Sequence, residues 1–252
     1  MIASGFALYC DALLDQCRNI ITIAAIAGFS FGDILNQSSA QTDPSPLLAL
    51  RNLYCERDGR VLFSNLNLTV DRGQIVRIEG PNGSGKTSLL RGVCGLCSAV
   101  QGELLWRGRP VTDSMQRDVF RQGALYLGHQ PGIKVVLTPR QNLEWYAALS
   151  ASATVDLEGA LRRVGLYGYE DVPCFNLSAG QQRRVALARL FLTRADLWIL
   201  DEPFTAIDKK GVEELEGWLS DQAGAGGAVL LTTHHALAVG RPVVSVSLGG
   251  RA

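Results

Sequence analysis

A glycine-rich segment near residue 80 limits the folds open to this chain more than any other feature. It runs from Gly80 to Thr87, reads GPNGSGKT and fits the pattern G-x-x-x-x-G-K-[ST]. A predicted strand ends at Glu79 and a predicted helix begins at Lys86, which is the context that this pattern needs. The glycines allow backbone N–H groups and the start of the helix to face phosphate oxygens. The segment therefore predicts a strand, loop and helix unit that binds the phosphates of a nucleotide.

Two side chains at the end of this loop are expected to act on the nucleotide directly. Lys86 supplies positive charge to the β- and γ-phosphates, and the Thr87 hydroxyl ligates Mg²⁺. The predicted phosphate-binding residues are Gly80, Pro81, Asn82, Gly83, Ser84, Gly85, Lys86 and Thr87.

A pair of carboxylates, Asp201 and Glu202, follows an apolar run that reads LWIL. Asp201 is expected to hold Mg²⁺ through water, and Glu202 to orient and polarise an attacking water as general base. Acidic residues are common where a strand reaches the surface, so the pair alone would indicate no function. In a chain that also carries the glycine-rich loop, it predicts hydrolysis of a nucleotide.

Strands and helices alternate along the rest of the chain, which predicts an α/β domain with a largely parallel sheet. Strands are predicted over residues 47–57, 61–70, 74–79, 103–106, 124–127, 196–200, 228–232 and 243–248. Helices are predicted over residues 86–95, 138–150, 155–165, 179–193 and 211–219. Ser178 is the predicted cap of the helix that starts at residue 179.

The composition agrees with a folded domain. Hydrophobic residues make up 47% of the 252 residues, and 24 basic residues balance 24 acidic ones. A disordered chain would be less apolar and further from neutrality. The zero net charge also argues against nucleic acid as a partner, because such binding normally needs an excess of Lys and Arg.

The six cysteines are too few and too scattered for a disulfide framework, which favours a reducing compartment. Cys94 and Cys97 form a C-x-x-C pair, for which redox or metal chemistry is the alternative interpretation. No second pair of ligands stands nearby in the sequence. We therefore expect two small apolar residues on one helix.

The first 46 residues differ from the rest and form a predicted N-terminal extension; the domain is expected to span residues 47–252. The uncharged run over residues 19–32 is too short for a membrane-spanning helix. A signal peptide and a membrane-surface helix are alternatives. We favour a poorly ordered extension or a stretch upstream of the true start.

Between the loop and the acid pair, LSAGQ resembles the LSGGQ signature of the ABC ATPases. Its five residues are Leu177, Ser178, Ala179, Gly180 and Gln181. Physically, such a segment is a second phosphate-binding helix start, where Gly180 lets a backbone approach and the helix dipole favours an anion. The resemblance implies ATP as the nucleotide. It also implies a cassette with a mainly parallel core sheet, an antiparallel β subdomain and a helical signature subdomain.

The same resemblance implies roles for four more residues. Gln130 matches the glutamine that contacts Mg²⁺ and the attacking water, so Thr87, Gln130 and Asp201 are the implied metal site. His234 matches the switch histidine at the γ-phosphate, although His235 stands beside it. Glu202, His234 and Gln130 are the implied catalytic residues. Asp208 matches the D-loop, across which two subunits communicate.

Many of these cassettes stack an aromatic side chain on adenine, and here the matching position is Arg57, with Tyr54 nearby. A guanidinium plane also stacks on a base. The resemblance further implies a second copy of the chain, because each ATP lies between the loop of one subunit and the signature of the other.

Kinases and GTPases lack the signature, and repair and translation cassettes need a coiled coil or a second cassette. A transporter ATPase with a separate membrane subunit is therefore favoured; another exporter of this kind or a soluble ABC ATPase is the alternative. Residues 78–91, 126–134, 168–173, 177–189 and 197–208 together resemble the CcmA family, the ATP-binding subunits of the cytochrome c maturation system. The resemblance covers residues 47–248.

That resemblance implies two ATPases with two copies of a CcmB-type membrane protein, near a CcmC-type haem-handling protein. The complex sits at the inner membrane, with the ATPase peripheral on the cytoplasmic face. Its output is linked to haem export or to release of a haem-loaded chaperone. Residues 131–143 are expected to face the membrane subunit.

Overall fold

The computed structural model describes residues 45–149 and 156–249. The predicted extension lies outside these residues except for Ser45 and Pro46, so the interpretations of its uncharged run stay predictions. None of the helices in the described ranges is long and apolar enough to span a membrane.

Strands and helices alternate as the sequence pattern predicts. The strands are β1 (Leu48–Arg57), β2 (Arg60–Val70), β3 (Ile75–Glu79), β4 (Val100–Trp106), β5 (Arg109–Pro110), β6 (Ala124–Leu127), β7 (Leu197–Asp201), β8 (Ala228–Thr232) and β9 (Val243–Ser247). The helices are α1 (Lys86–Val93), α2 (Ser114–Gly123), α3 (Pro139–Leu149), α4 (Leu157–Arg163), α5 (Ala179–Ala188) and α6 (Lys209–Gly224), with 3₁₀ turns at Cys174–Asn176 and Arg189–Phe191.

The core sheet is parallel and runs in the order β6-β7-β8-β3-β9. Its central strands β7 and β8 are buried along their whole length, which explains why they read as continuous apolar runs. Because all five strands point the same way, the loops after β3, β7 and β8 meet at one edge. That edge holds the glycine-rich loop, the acid pair and His234.

A second, antiparallel sheet has the order β2-β1-β4-β5. The turn between β1 and β2 has both central residues in the left-handed region, Asp58 at φ 53° and Gly59 at φ 73°, which suits a two-residue hairpin. The buried faces of β1, β2 and β3 pack with α1 into one core cluster. The expected division into a parallel core and an antiparallel β subdomain is confirmed.

The third part is helical and contains α3, α4 and the signature helix α5. Leu143, Leu161 and Val185 are fully buried where these helices meet. The α4 helix is capped by Asp156, whose carboxylate accepts a hydrogen bond from the backbone N–H of Gly159 at 2.8 Å. Ser178 caps α5, as predicted.

Several predicted boundaries are wrong by a few residues, and α2 was not predicted at all. It is a mostly polar helix with Phe120 as its one buried residue, so it has few of the apolar residues on which the prediction rested. The signature helix ends at Ala188 rather than residue 193 and continues as a 3₁₀ turn. The helix before β8 is longer than predicted and spans Lys209–Gly224.

The C-x-x-C pair does not lie on one helix, because α1 ends before it. Gly95, at φ 69°, donates to the Gly92 carbonyl (2.9 Å), and Leu96 donates to the Arg91 carbonyl (2.7 Å). This pattern is the Schellman motif that ends helices. Cys94 therefore caps α1, and Cys97 lies beyond it.

The chemistry of this pair agrees with a structural role. Burial raises the pKa of Cys94 to about 12, which disfavours the reactive thiolate. The cysteines of the described ranges, Cys55, Cys94, Cys97 and Cys174, are free thiols. No cluster of three or more metal-ligating side chains occurs among the described residues.

Candidate nucleotide-binding site

A cavity of about 500 Å³ opens at the edge of the parallel sheet where the glycine-rich loop and the acid pair meet. The predicted residues that line it are Arg57, Asn82, Gly83, Gly85, Lys86, Thr87, Asp201, Glu202 and His234. These residues come from four separate segments of the chain. Their convergence makes this cavity the candidate site.

The glycine-rich loop needs its glycines for backbone conformation and for close approach. Gly85 precedes α1 at φ 96°, a left-handed conformation that other residues adopt only with strain. At Gly80 an added Cβ would lie 2.5 Å from the carbonyl oxygen of Leu248. The loop therefore packs tightly against the end of β9 and keeps its open side toward the cavity.

Lys86 is the first residue of α1 and is held across the loop. Its Nζ donates hydrogen bonds to the carbonyls of Gly80 (2.7 Å) and Pro81 (3.2 Å). The first turn of α1 contains no acidic residue, so no carboxylate there competes with phosphate for the free N–H groups. The helix start and the ammonium group together make this end of the cavity suitable for an anion.

Asp201 is the last residue of β7 and is only 1% exposed. Its Oδ1 accepts hydrogen bonds from Thr232 Oγ1 (2.7 Å) and Thr87 Oγ1 (3.2 Å). Its Oδ2 is buried and has no hydrogen-bond partner among the described residues. Such a carboxylate oxygen is costly unless a cation or donor reaches it. Mg²⁺ prefers oxygen ligands, and the Thr87 hydroxyl and the Asp201 carboxylate provide them here.

Glu202 has an unusual backbone, with φ at 47°. This left-handed conformation costs a non-glycine residue about 1–2 kcal/mol. The Glu202 N–H donates to Thr232, 3.1 Å from its carbonyl oxygen and 3.0 Å from its Oγ1. Its side-chain Oε1 lies 3.6 Å from His234 Nε2, so the acid and the histidine face each other at the cavity.

The two adjacent histidines have different surroundings. His235 Nε2 lies 3.2 Å from Glu216 Oε1, and its ring packs on Phe204 with 4.9 Å between the ring centroids. Glu216 is buried and also accepts a hydrogen bond from the Ala238 N–H at 2.7 Å. His234 is left free to line the cavity. The geometry thus favours His234, as the sequence interpretation did, for a role at the nucleotide.

The signature lies at the start of α5, and its five residues do not line this cavity. Ser178 Oγ accepts from the Gln181 N–H (3.2 Å), and Gln181 Oε1 accepts from the Ser178 N–H (2.9 Å), which forms a capping box. An added Cβ at Gly180 would lie 2.8 Å from the Ala206 carbonyl oxygen. The signature is therefore packed against the loop between β7 and α6 of its own chain.

Asp208 and Gln130 also lie away from the lining of the cavity. Asp208 Oδ1 accepts a hydrogen bond from Arg184 Nη2 at 3.0 Å, and this bond lowers the pKa of Asp208. Gln130 is exposed, and the residue before it, His129, lines the cavity instead. His129 was not predicted, although its position next to Gln130 in the sequence was the available signal.

Arg57 lies at the rim of the cavity and is largely exposed. Its Nε lies 3.6 Å from Asp58 Oδ2, a pair on the surface that leaves the guanidinium plane accessible. The Tyr54 hydroxyl donates to Glu56 Oε2 at 2.6 Å, and Tyr54 does not line the cavity. Of the two, Arg57 is the residue placed to meet a base.

Comparisons with known proteins show the family of the chain. A family model described as ABC transporter matches residues 63–205. The chain is 53% identical over 209 residues to the cytochrome c biogenesis ATP-binding export protein CcmA of Hahella chejuensis, covering 82% of this chain and 98% of that protein. The CcmA of Pseudomonas fluorescens is 54% identical over 194 residues, covering 77% of this chain and 91% of that protein. The chain belongs to the CcmA family of ABC ATPases.

A solved structure supports the fold independently. The dimeric, post-hydrolysis state of an ATP-binding cassette bound to ADP and Pi aligns with a TM-score of 0.68 at 21% identity, covering 81% of this chain and 97% of that one. The predicted CcmA fold, an α/β cassette with β and helical subdomains, is thereby confirmed.

Proposed function

We propose that this chain is the ATP-hydrolysing subunit of a CcmAB-type ABC transporter that serves cytochrome c biogenesis. Its hydrolysis of ATP is coupled to haem export or to release of a haem-loaded chaperone. The observation that carries the proposal is the cavity in which Lys86, Asp201, Glu202 and His234 converge. The biological role is inferred from relatives that are more than half identical to the chain.

ATP binds with its phosphates on the loop from Gly80 to Thr87. The N–H groups at the start of α1 and the Lys86 ammonium neutralise the β- and γ-phosphates. Binding redirects the Lys86 hydrogen bonds from the Gly80 and Pro81 carbonyls toward phosphate oxygens. Arg57 at the rim stacks on the adenine.

Mg²⁺ fits beside Asp201, whose buried Oδ2 has no partner in the described part of the chain. Thr87 and Asp201 would hold the ion, whereas Gln130, the third predicted ligand, is exposed and does not line the cavity. When bound, it neutralises charge on the phosphates and favours displacement of the γ-phosphoryl group.

Glu202 acts as the general base in hydrolysis. Its carboxylate accepts a proton from the water that attacks the γ-phosphate, and the left-handed backbone at this position aims the side chain at the cavity. His234, 3.6 Å from the same carboxylate, hydrogen-bonds the γ-phosphate and keeps the acid in place. Removal of either side chain leaves the phosphate-binding loop intact.

A second copy of the chain completes the site. The signature helix start is absent from the chain's own cavity, yet Ser178 and Ala179 are exposed and available to another molecule. In the proposed complex each signature faces the ATP of the partner subunit, and Asp208 lies near the contact. The dimeric state of the related cassette that holds ADP and Pi supports this arrangement.

The membrane subunit docks on the loop and helix after Gln130. Val135 and Val136 in this stretch are 46% and 72% exposed, and the neighbouring Phe175 is 60% exposed. The Phe175 N–H donates to the Val135 carbonyl at 2.9 Å, which holds these apolar side chains in one patch. A patch of this kind indicates a protein partner. We assign it to a CcmB-type subunit, near a CcmC-type protein, at the cytoplasmic face of the inner membrane.

Genetic complementation tests this function. In a bacterial strain that lacks its own CcmA, the chain is expected to restore haem-stained c-type cytochromes, and Lys86→Ala is expected to abolish them. Arg121→Ala, at an exposed position on α2, is the control that keeps them. Failure of a well-expressed wild-type chain that co-purifies with the strain's CcmB would exclude the role in cytochrome c biogenesis.

A further inference from the structure

The signature helix α5 carries a buried arginine that the expected chemistry does not use. Arg183 is 3% exposed, and its side chain makes no ion pair within the described ranges. A buried arginine without such a partner is rare, because its charge must be compensated by other polar groups. Backbone carbonyls from two loops provide that compensation.

The first loop follows β6 and leads to Gln130. Arg183 Nη1 donates hydrogen bonds to the carbonyls of Gly128 (3.0 Å) and His129 (3.2 Å). These two residues lie between the last residue of β6 and Gln130, and the His129 side chain lines the nucleotide cavity.

The second loop follows β7 and contains the catalytic acid. Arg183 Nη2 donates to the carbonyls of Asp201 (3.3 Å) and Glu202 (2.8 Å), and Nε donates to that of Pro203 (3.3 Å). Together with the first loop, these bonds occupy all five N–H donors of the guanidinium group. No other side chain type offers five donors in one plane.

The contact with Glu202 coincides with its strained backbone. The left-handed φ of 47° turns the Glu202 carbonyl toward Arg183, while the Glu202 N–H is held by Thr232 from the other side. Hydrogen bonds thus hold this left-handed residue at both its N–H group and its carbonyl group. Desolvation lowers the pKa of Arg183, and the nearby charges of Asp201 and Glu202 oppose that shift.

We propose that Arg183 is a positioning residue for ATP hydrolysis, which holds the backbone of Glu202 and of the loop before Gln130 in the catalytic arrangement. Its side chain does not line the nucleotide cavity, and it acts through these carbonyls. The proposal rests on the assigned role of Glu202. Because Arg183 lies in the helix that begins with the signature, the same bonds link the position of that helix to Glu202.

The test compares Arg183→Gln, Arg183→Lys and Arg189→Met in the full chain. Arg183→Gln is expected to lower kcat by about tenfold or more, because a small misplacement of catalytic groups has large effects on rate. The Kd for ATP, measured by fluorescence of a bound nucleotide analogue, should change less than twofold. Arg183→Lys retains the charge but offers three donors, and is expected to recover part of kcat.

Arg189→Met is the matched control on the same stretch of chain. Arg189 stacks on Tyr146 with 3.8 Å to the ring centroid and has no contact with the nucleotide cavity. Its loss is expected to lower the thermal midpoint without lowering kcat per folded molecule.

Each outcome decides the proposal. It is overturned if Arg183→Gln hydrolyses ATP at the wild-type kcat, or if kcat and ATP binding fall together. It is also overturned if neither Arg183 variant folds by circular dichroism, because the residue then serves folding alone. A wild-type chain that hydrolyses no ATP, alone or with its membrane partner, would contradict the proposed function instead.

Discussion

At the scale of single residues, polar partners decide which of two similar side chains serves the site. His234 and His235 are adjacent in the sequence, yet the buried Glu216 carboxylate contacts only His235. Glu216 comes from α6, many residues before the histidines in the chain. Sequence spacing cannot show this pairing, which depends on how α6 packs against the loop after β8.

Arg57 allows a direct test of base recognition. Arg57→Ala is expected to raise the Kd for ATP by about two- to thirtyfold, since a cation stacked on a ring contributes about 0.5–2 kcal/mol. Arg57→Tyr should restore binding, because an aromatic ring stacks on adenine as well. Isothermal titration with ATP measures each value.

Arg60→Ala is the control for this measurement. Arg60 pairs with Arg57 across the hairpin but does not line the nucleotide cavity. An unchanged Kd in Arg57→Ala, or an equal change in both alanine variants, would remove Arg57 from the adenine site.

At the scale of elements, packing competes with intrinsic helix propensity in α1. An added Cβ at Gly92 would lie 2.5 Å from a Val100 methyl group and 2.6 Å from Val100 Cβ. The Cβ atom moves only with the backbone. At position 92, β4 therefore lies too close to α1 for any residue larger than glycine. In α6, by contrast, an added Cβ at Gly217 meets nothing within 4 Å.

These two glycines are therefore expected to respond in opposite directions to alanine. Gly92→Ala should lower the free energy of unfolding by about 1–2 kcal/mol, because overpacking outweighs the gain in helix propensity. Gly217→Ala should raise it by about 0.5–1 kcal/mol. Urea unfolding followed by circular dichroism measures both.

A double-mutant cycle identifies the cause at Gly92. If the clash with Val100 is responsible, Gly92→Ala should cost less in a Val100→Gly background, which removes the Cβ atom as well as both methyl groups, than in the wild type. A cost that is independent of residue 100 would show that the contact between α1 and β4 is not the limiting one.

At the scale of the whole molecule, the proposed hydrolysis needs groups that one chain does not bring together. Residues of the loop and the acid pair line the cavity, while the signature residues do not. The fold thus separates the starts of α1 and α5, which the sequence predicts to bind phosphate, within a chain. In the proposed complex, association of two copies unites them.

Glu202→Gln is expected to trap that association. The variant removes the general base and should lower kcat by about 10²–10⁴-fold, while the loop still binds ATP. With ATP present, light scattering should give twice the mass of one chain; without ATP it should give the single mass. The control is Lys86→Ala in the Glu202→Gln background, which should give the mass of one chain even with ATP present.

Wild-type hydrolysis rates in Glu202→Gln would contradict the assignment of the base. A single mass with ATP bound would contradict the two-copy site while leaving the acid pair unaffected.

The order of the residues alone was enough to predict several parts of this protein, because these parts depend on local chemistry. The loop from Gly80 to Thr87, the acid pair after β7 and the cap at Ser178 each need particular residues at fixed spacing, because backbone conformation and donor geometry demand them. The alternation of apolar runs also predicted the parallel sheet. The runs over residues 78–91 and 197–208, with three others, indicated the CcmA family from residue identity alone.

Features that depend on distant contacts were settled by the tertiary fold. The fold placed His129 beside the nucleotide cavity, paired His235 with Glu216 and brought Arg183 to the carbonyls of two loops. It also formed α2, a mostly polar helix with a single buried residue. Burial and hydrogen bonding between segments far apart in sequence set these features, and no local pattern encodes the distances between such segments.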